Sequence, residues 1–273
     1  MGSIFNFSDY DQLIPLITNS LIAGGLLALV GGLIGIFVMN RDMSFAVHGI
    51  SELSFAGAAF ALLAGFNVVL GSVVGSILAA LVIGVLGAKA KERNSIVAVL
   101  MPAGLGLGIL ALALYEGRAA NKFGLLTGQI IAVDDPQLAG LATICLIVLV
   151  TLGVVWRPLS FASLDPEVAA ARGVPTRALS IVFMLMLGLA VAASVQVVGA
   201  LLVLSLLVTP AAAALRVTSS QVLAPILSVS FALISVLGGI LLALGAGLPI
   251  SPYVTTISFL IYVICRVIER VKK

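Results

Sequence analysis

The sequence is built from apolar stretches of about 20 residues, the length that a helix needs to cross a hydrocarbon core roughly 30 Å thick. Such a helix satisfies its own backbone hydrogen bonds, which lipid cannot do. Charged residues make up only 9% of the chain against 62% hydrophobic residues, and they occur in short clusters between the stretches. A water-soluble domain spreads its charges over exposed surfaces, so this pattern excludes one and predicts a membrane-spanning protein.

Nine candidate spans follow from the hydropathy pattern. They run at about residues 15–39, 45–66, 68–88, 95–115, 137–156, 179–198, 200–217, 222–245 and 252–268. The stretch 45–66 also carries a histidine, a glutamate and two serines, a polar content that is compatible with a broken or re-entrant segment. We therefore expect one all-α domain over residues 1–273, a polytopic transmembrane bundle of eight or nine spans.

Basic residues flank the spans in four clusters, and their positions predict the topology, because cytoplasmic loops of membrane proteins are enriched in Lys and Arg. The clusters are Lys89, Lys91 and Arg93; Arg157, Arg172 and Arg177; Arg216; and Arg266, Arg270, Lys272 and Lys273. All four are cytoplasmic if the N-terminus lies outside, and the C-terminus is then cytoplasmic. Because Asp9 and Asp11 replace a basic leader region, we expect no cleavable signal peptide and a multi-pass protein of the cell (inner, cytoplasmic) membrane.

Glycine spacing predicts close helix packing instead of nucleotide binding. The pairs Gly71 and Gly75, and Gly104 and Gly108, each lie on one helix face, where backbones can approach closely. No G-x-x-x-x-G-K-[ST] phosphate loop occurs, so we expect a chain that is not an enzyme, and ATP, if it is used, binds another subunit. The net charge of +3 comes from the clusters that flank the spans, which indicates a lipid environment and no nucleic-acid partner.

One acidic residue stands apart from the others. Glu52 is the only carboxylate that does not belong to a loop or a span end, and His48, the only histidine, precedes it by four residues. On a helix the two side chains share one face. Such ionisable groups face a bundle interior or a water-filled cavity, and their nitrogen and oxygen atoms are ligands for first-row divalent metals. A hydrogen-bonded pair that only fixes helix packing is an equally good interpretation at this point.

The other polar or reactive side chains inside spans have simpler interpretations. Gln196 is a weaker candidate for the same path, and so is Gln129, because a lone amide near a span more often bonds a neighbouring helix than a substrate. Cys145 and Cys265 lie in apolar stretches without C-x-x-C spacing, and we expect them to be packing residues.

A polar loop at about residues 160–177 predicts a short helix on the cytoplasmic side. An aspartate at the N-cap, followed by proline and glutamate, starts a helix at its positive end, and a glycine ends it. The residues that carry this pattern are Asp165, Pro166, Glu167, Arg172 and Gly173. An ordinary interfacial connector has the same features.

Three stretches resemble the permease family of ABC importers for zinc, manganese and iron, and the resemblance extends over nearly the whole chain. The stretch 163–175 resembles the family's coupling helix, which docks on the ATPase subunit, and 196–214 resembles its late signature segments. The stretch 43–57 resembles an early segment in which an Asp and, four residues on, a His face the translocation path. Here His48 and Glu52 stand at those positions, so the order of the two ligand types is exchanged.

The resemblance implies the membrane-spanning subunit of an ATP-driven importer for a divalent transition metal, manganese or zinc and possibly iron. Its partners are a second permease chain, expected to be identical, a cytoplasmic ATP-binding subunit and an extracytoplasmic metal-binding protein. The metal is cargo and ATP is bound by the partner, so no permanently bound cofactor is expected. His48 and Glu52 then contact the metal, and the loop helix transmits the motion of the ATPase.

Two other classes of function compete with this interpretation. A proton-coupled secondary metal transporter or channel would use the same pair as a proton relay, without an ATPase. An intramembrane protease is disfavoured, because the sequence has no H-E-x-x-H motif and no recognisable aspartate pair or Ser–His dyad for such chemistry.

Overall fold

The computed structural model describes residues 14–87, 90–117, 125, 133–200, 203–246 and 250–272, and nearly all of them are helical. No β-strand occurs within these ranges, so the predicted all-α fold class is confirmed. A short 3-10 turn, Ile14–Ile17, precedes the first long helix. The helices are α1 (Thr18–Asn40), α2 (Ser44–Leu63), α3 (Val68–Leu86), α4 (Ala90–Leu114), α5 (Asp135–Leu164), α6 (Pro166–Ala171), α7 (Thr176–Val198), α8 (Val203–Leu207), α9 (Thr209–Val217), α10 (Leu223–Ala246) and α11 (Ile250–Lys272).

Eight of the helices in the described part of the chain are long and apolar enough to cross a membrane. They are α1 to α5, α7, α10 and α11. A further apolar passage, Val203–Val217, is shorter and comprises α8 and α9. The predicted bundle of eight or nine spans is therefore confirmed.

Contacts between helix termini define two ends of the bundle. At one end the side chain of Arg41, just after α1, reaches Ser163 near the end of α5. Arg93, near the start of α4, bonds to the turn after α1 at the same end, and we call this the basic end. At the opposite end Asn19 of α1 donates a hydrogen bond to Asp135 at the start of α5, at 2.7 Å. The long helices from α1 to α7 therefore alternate in direction between the two ends.

The passage between α7 and α10 is broken into two short helices. Gly199 ends α7 with a φ of +87°, in the region that favours glycine. Pro210 stands in the first turn of α9, where the absent N–H leaves no intrahelical acceptor unsatisfied. Leu215 of α9 and Met39 of α1 pack against the same small cluster near the basic end. The two short helices together therefore return the chain to that end.

The stretch 45–66, which the sequence marks as a candidate break, is one continuous helix, α2. Two buried serine hydroxyls of this helix have partners on neighbouring elements: the Ser51 hydroxyl donates to the Ala200 carbonyl at 2.8 Å, and the hydroxyls of Ser54 and Ser72 are 2.8 Å apart. A polar side chain that bonds across helices stabilises a span instead of interrupting it. The alternative of a broken segment at this position is therefore wrong, and the interrupted passage is the one between α7 and α10.

Glycines hold α2 close to both of its neighbours. Gly57 of α2 faces Gly71 of α3 so closely that a Cβ on either residue would overlap the carbonyl oxygen of the other. On the other side, a Cβ on Gly104 of α4 would come within 2.9 Å of the carbonyl carbon of Glu52. The close packing predicted from the glycine spacing is confirmed, and it places most of α2 in the interior of the bundle.

Candidate functional site

His48 and Glu52 lie one turn apart on α2, and their side chains approach each other. The His48 Nε2 and Glu52 Oε1 atoms are 3.7 Å apart, a distance longer than a hydrogen bond. The Glu52 side chain is 3% exposed, whereas the His48 side chain is 28% exposed. The pair therefore forms a short polar strip that leads from a partly open position into the bundle.

Each side chain of the pair keeps one buried atom without a partner. His48 Nδ1 and Glu52 Oε2 make no hydrogen bond to any described residue. A buried polar atom left unsatisfied costs about 1–3 kcal/mol, so it is rare unless it serves a function. Neither atom receives such a bond within the described part of the chain. The free nitrogen and oxygen atoms are suited to contact a cation.

A single chain offers a metal ion few ligands at this site. Among the residues that the structure describes, no group of three or more His, Cys, Asp or Glu side chains lies close enough to hold an ion. Structural zinc sites in proteins use four ligands in a closed shell. The described part of one chain therefore supplies at most the two side chains of the pair at this position.

Gln196 lies apart from the pair. It is on the last turn of α7 and lines a cavity of about 260 Å³, together with Leu62 of α2 and Ser72 of α3. Neither member of the pair is among the described residues that line this cavity. The Gln196 Nε2 atom is buried and has no hydrogen-bond partner in the described part of the chain. Gln196 therefore faces a cavity that the pair does not line, and Gln129 lies outside the described residues.

The short helix predicted in the polar loop is α6, and its terminal residues act as expected. The Asp165 carboxylate accepts a hydrogen bond from the Val168 N–H at 3.0 Å. Pro166 occupies the first helical position and Glu167 lies in the first turn. Gly173 follows the helix with a φ of +81°, so the chain reverses there without strain.

One buried residue attaches α6 to the bundle. Ala169 is fully buried and packs with Ala162 of α5 and Leu179 of α7. Glu167 and Arg172 are exposed. The helix therefore presents charged side chains outward while it stays in contact with the two long helices on either side of it.

A second group of charged side chains, which sequence analysis did not single out, lies at the basic end. Arg93 is only 8% exposed, and its Nη2 donates to the carbonyl oxygens of Arg41 and Asp42, each at 3.1 Å. Burial and, secondarily, the proximity of Arg93 lower the pKa of the Arg41 guanidinium from its ordinary value. The sequence signal for this group is modest: a short Arg–Asp connection between two spans and a basic residue that follows a third span.

The fold and the buried pair define the class of protein. A bundle of apolar helices long enough to span a membrane, with one ionisable pair on a central helix, is a polytopic membrane protein with a candidate polar path. The chain belongs to the ABC 3 transport family, whose model matches residues 13–269.

Individual relatives agree with this assignment. The chain is 30% identical to the manganese transport system membrane protein MntC of Halalkalibacterium halodurans, over 85% of this chain and 80% of that protein. It is 24% identical to the high-affinity zinc uptake system membrane protein ZnuB of Haemophilus influenzae, over 90% and 94% of the two chains. The solved structure of PsaBC from Streptococcus pneumoniae in complex with Fab shares the fold, with a TM-score of 0.85 at 23% identity over 97% of this chain and 98% of that chain. The resemblance to permeases of metal ABC importers is confirmed.

Proposed function

We propose that this chain forms the membrane path of an ATP-driven importer for a divalent transition metal, manganese or zinc. The observation that carries the proposal is the buried His48–Glu52 pair with its free nitrogen and oxygen atoms, in a chain of the ABC 3 transport family. One relative is named for manganese transport and another for zinc uptake. Both ions accept imidazole and carboxylate ligands.

In this function the pair contacts the ion during its passage. A neutral imidazole has one nitrogen free to bind, and an ionised carboxylate has several free acceptor positions. An unbalanced carboxylate inside a membrane costs several kcal/mol, and a passing divalent cation offsets that cost. Because an importer must release its cargo, a shell with few protein ligands keeps the affinity modest.

Two copies of the chain are expected to surround one path. One chain supplies one carboxylate and one imidazole, and the described residues contain no larger ligand group. Two chains related by twofold symmetry would supply two of each. Two carboxylates balance the charge of a divalent cation, so the ion and its site together carry no net charge through the membrane.

The orientation follows from the charges at the two ends of the bundle. We place the basic end in the cytoplasm, because cytoplasmic loops are enriched in Lys and Arg. The N-terminus is then outside, the C-terminus is cytoplasmic, and the membrane is the cell (inner, cytoplasmic) membrane. The exposed face of α6, with Glu167 and Arg172, lies where a separate ATP-hydrolysing subunit can dock, and an extracytoplasmic metal-binding protein delivers the ion to the opposite end.

Metal uptake by the complete system tests this proposal. The permease, its ATPase and its binding protein are expressed together in a strain that lacks its own importers, and uptake of manganese, zinc and iron is compared. We expect saturable uptake of manganese or zinc that stops when the ATPase is inactivated by substitution of its phosphate-loop lysine. Uptake that persists with the inactive ATPase and follows the proton gradient would establish a secondary transporter instead.

A further inference from the structure

Arg41 and Arg93, at the basic end, belong neither to the His48–Glu52 pair nor to the exposed face of α6. Arg41 is the first residue of the turn 41–43 between α1 and α2, and Arg93 contacts this turn. We call these three residues the Arg41 turn. Its position is notable because α2, which begins at the next residue, carries the pair.

The Arg41 turn is a rigid connection. The Met43 N–H donates to the Val38 carbonyl at 2.9 Å, the Asp42 N–H donates to the Met39 carbonyl at 3.3 Å, and Asp42 has a φ of +52°. These are the bonds of a Schellman motif, which reverses the chain tightly at a helix end. Met43 is 3% exposed, so the turn is also anchored in the core. A displacement of the turn therefore moves the start of α2 with it.

Arg93 fastens the Arg41 turn to α4. Its Nη2 donates to two consecutive carbonyl groups of the turn, at 3.1 Å each. A charged donor that binds two backbone acceptors is a strong and geometrically defined contact. The Arg41 backbone is thereby fixed, and its side chain is free to serve another contact.

That contact is made with the two helices on either side of α6. The Arg41 Nη1 atom donates to the Ser163 hydroxyl of α5 at 3.4 Å, and the Arg41 guanidinium carbon lies 5.3 Å from the centre of the Phe183 ring of α7. The Ser163 hydroxyl itself donates to the Leu159 carbonyl at 2.6 Å, so its oxygen is oriented to accept. An arginine over an aromatic ring adds a cation–π attraction.

Aromatic packing keeps the three helices together beside Arg41. The rings of Phe37 in α1 and Trp156 in α5 meet edge to face, with centroids 5.0 Å apart. The same Phe37 ring lies 6.2 Å from the ring of Phe183 in α7. Arg41 thus connects this aromatic cluster to the end of α5. Ser163 is the last residue but one of α5, and α6 begins at Pro166.

We propose that Arg41 is a positioning residue that transmits displacement of α6 to α2 and so sets the geometry of the His48–Glu52 pair in step with the ATPase. The proposal rests on the proposed function. When a docked ATPase moves α6, the end of α5 and the start of α7 move with it, because Ala169 ties α6 to both helices. Arg41 contacts both of these helices and belongs to the rigid turn that begins α2. Coupling of this kind travels through contacts between discrete packed elements.

The test measures the ratio of metal uptake to ATP hydrolysis in the complete complex reconstituted in lipid vesicles, with manganese(II) as the probe. For Arg41→Met and, to a smaller extent, Ser163→Ala, we expect the uptake per ATP to fall, by about tenfold for Arg41→Met, within the range for residues that carry coupling. Basal hydrolysis and the yield of assembled complex should remain near those of the wild type. Arg157→Met is the matched control, because Arg157 is an exposed cation of α5 that makes neither of these contacts.

A double variant separates transmission from a general structural role. If Arg41 acts through Ser163, the Ser163→Ala change adds little to Arg41→Met, because the two residues share one interaction. Additive losses, or an uptake per ATP equal to that of the wild type in both single variants, would overturn the proposal. A wild-type complex that shows no ATP-dependent uptake of manganese or zinc contradicts the proposed function itself, which is a different outcome.

Discussion

At the scale of single residues, Glu52 is the side chain whose presence most needs a functional reason. It is 2% exposed, lies on a central helix and keeps one carboxylate oxygen unpaired among the described residues. Replacing a carboxylate by its amide retains the shape and removes the charge. For Glu52→Gln and for His48→Ala we expect uptake to fall at least about tenfold, as when a metal loses a ligand or its support.

The measurement is uptake of manganese and zinc at equal membrane levels of each variant, with ATP hydrolysis recorded in parallel. Basal hydrolysis and assembly should be retained. Ser235→Ala is the matched control, since Ser235 is buried and its hydroxyl donates to the Phe231 carbonyl of its own helix. Near-normal uptake by both pair variants would make the pair a packing feature.

A pH dependence follows from the same ligands. A proton on the imidazole nitrogen or on the carboxylate occupies the position that the metal needs, so metal binding releases protons. We expect uptake to weaken as the pH falls. Uptake by Glu52→Gln should lose a smaller fraction of its neutral-pH value than uptake by the wild type, because the variant has no carboxylate to protonate. Uptake and hydrolysis measured over the same pH series distinguish this effect from inhibition of the ATPase, which would lower both together.

The sequence alone was sufficient to single out the pair but not the Arg41 contacts. His48 and Glu52 are neighbours on one helix, and each is conspicuous by its residue type in an apolar stretch. Arg41, Arg93 and Ser163 come from three distant parts of the chain, and no local spacing indicates that they meet. The sequence also did not predict which charged side chains are buried: Arg93 belongs to a basic cluster beside a span, yet the structure buries most of it.

At the scale of helices, the crossing of α2 and α3 depends on glycine. A Cβ at Gly75 would overlap the carbonyl oxygen of Leu53, and a displacement here also moves Glu52. We expect Gly75→Ala to destabilise the folded permease by about 1–3 kcal/mol, the usual cost of overpacking. Gly106→Ala is the matched control, because a Cβ there meets nothing within 4 Å and alanine is the better helix former.

Thermal unfolding of the two purified variants in the same detergent tests this prediction. Gly75→Ala should lower the unfolding midpoint, whereas Gly106→Ala should leave it unchanged or raise it. Equal midpoints for both variants would show that α3 moves away from α2 at little cost.

Helix α6 carries a separate prediction about coupling. Its charged residues Glu167 and Arg172 are exposed while Ala169 is buried, so substitutions of the two charged residues should affect docking without affecting the fold. We expect Glu167→Gln or Arg172→Ala to lower uptake per ATP while the permease remains inserted. Normal transport and normal co-purification of the ATPase with both variants would contradict a coupling role, and Arg157→Ala serves as the control.

The elements show where hydropathy is informative and where it is not. It located all eight long helices, but it gave 200–217 as an ordinary span and marked only 45–66 as possibly broken. The two stretches differ in the hydrogen bonds that they receive from distant parts of the chain. At the interrupted passage, Ser51 and Ser251 donate to the carbonyl groups of Ala200 and Val198. Because these bonds satisfy the interrupted backbone, its apolar sequence alone does not reveal the break.

For the whole molecule, nine passages connect the two ends of the bundle although only eight long helices span it in the described residues. The two short helices α8 and α9 together form the ninth passage. As a result Asn19 lies at the end opposite to Arg216, which pairs with Glu269 near the end of α11 at 3.5 Å. The described part of one chain holds the His48–Glu52 pair and no larger group of metal-ligating side chains, so the proposed path takes its further ligands from a second chain.

The last prediction follows from this shared path. If two chains contribute one pair each to a common site, a dimer with one Glu52→Gln chain lacks half of the carboxylate charge and transports poorly. Wild-type and variant permeases, each with its own tag, are co-expressed in equal amounts, and uptake is measured at a constant total level. Random pairing in a twofold dimer leaves roughly one quarter of the complexes fully wild type, so uptake should fall to about that fraction. A fall only to one half would mean that each chain transports alone, and pull-down of one tag with the other confirms independently that mixed dimers have formed.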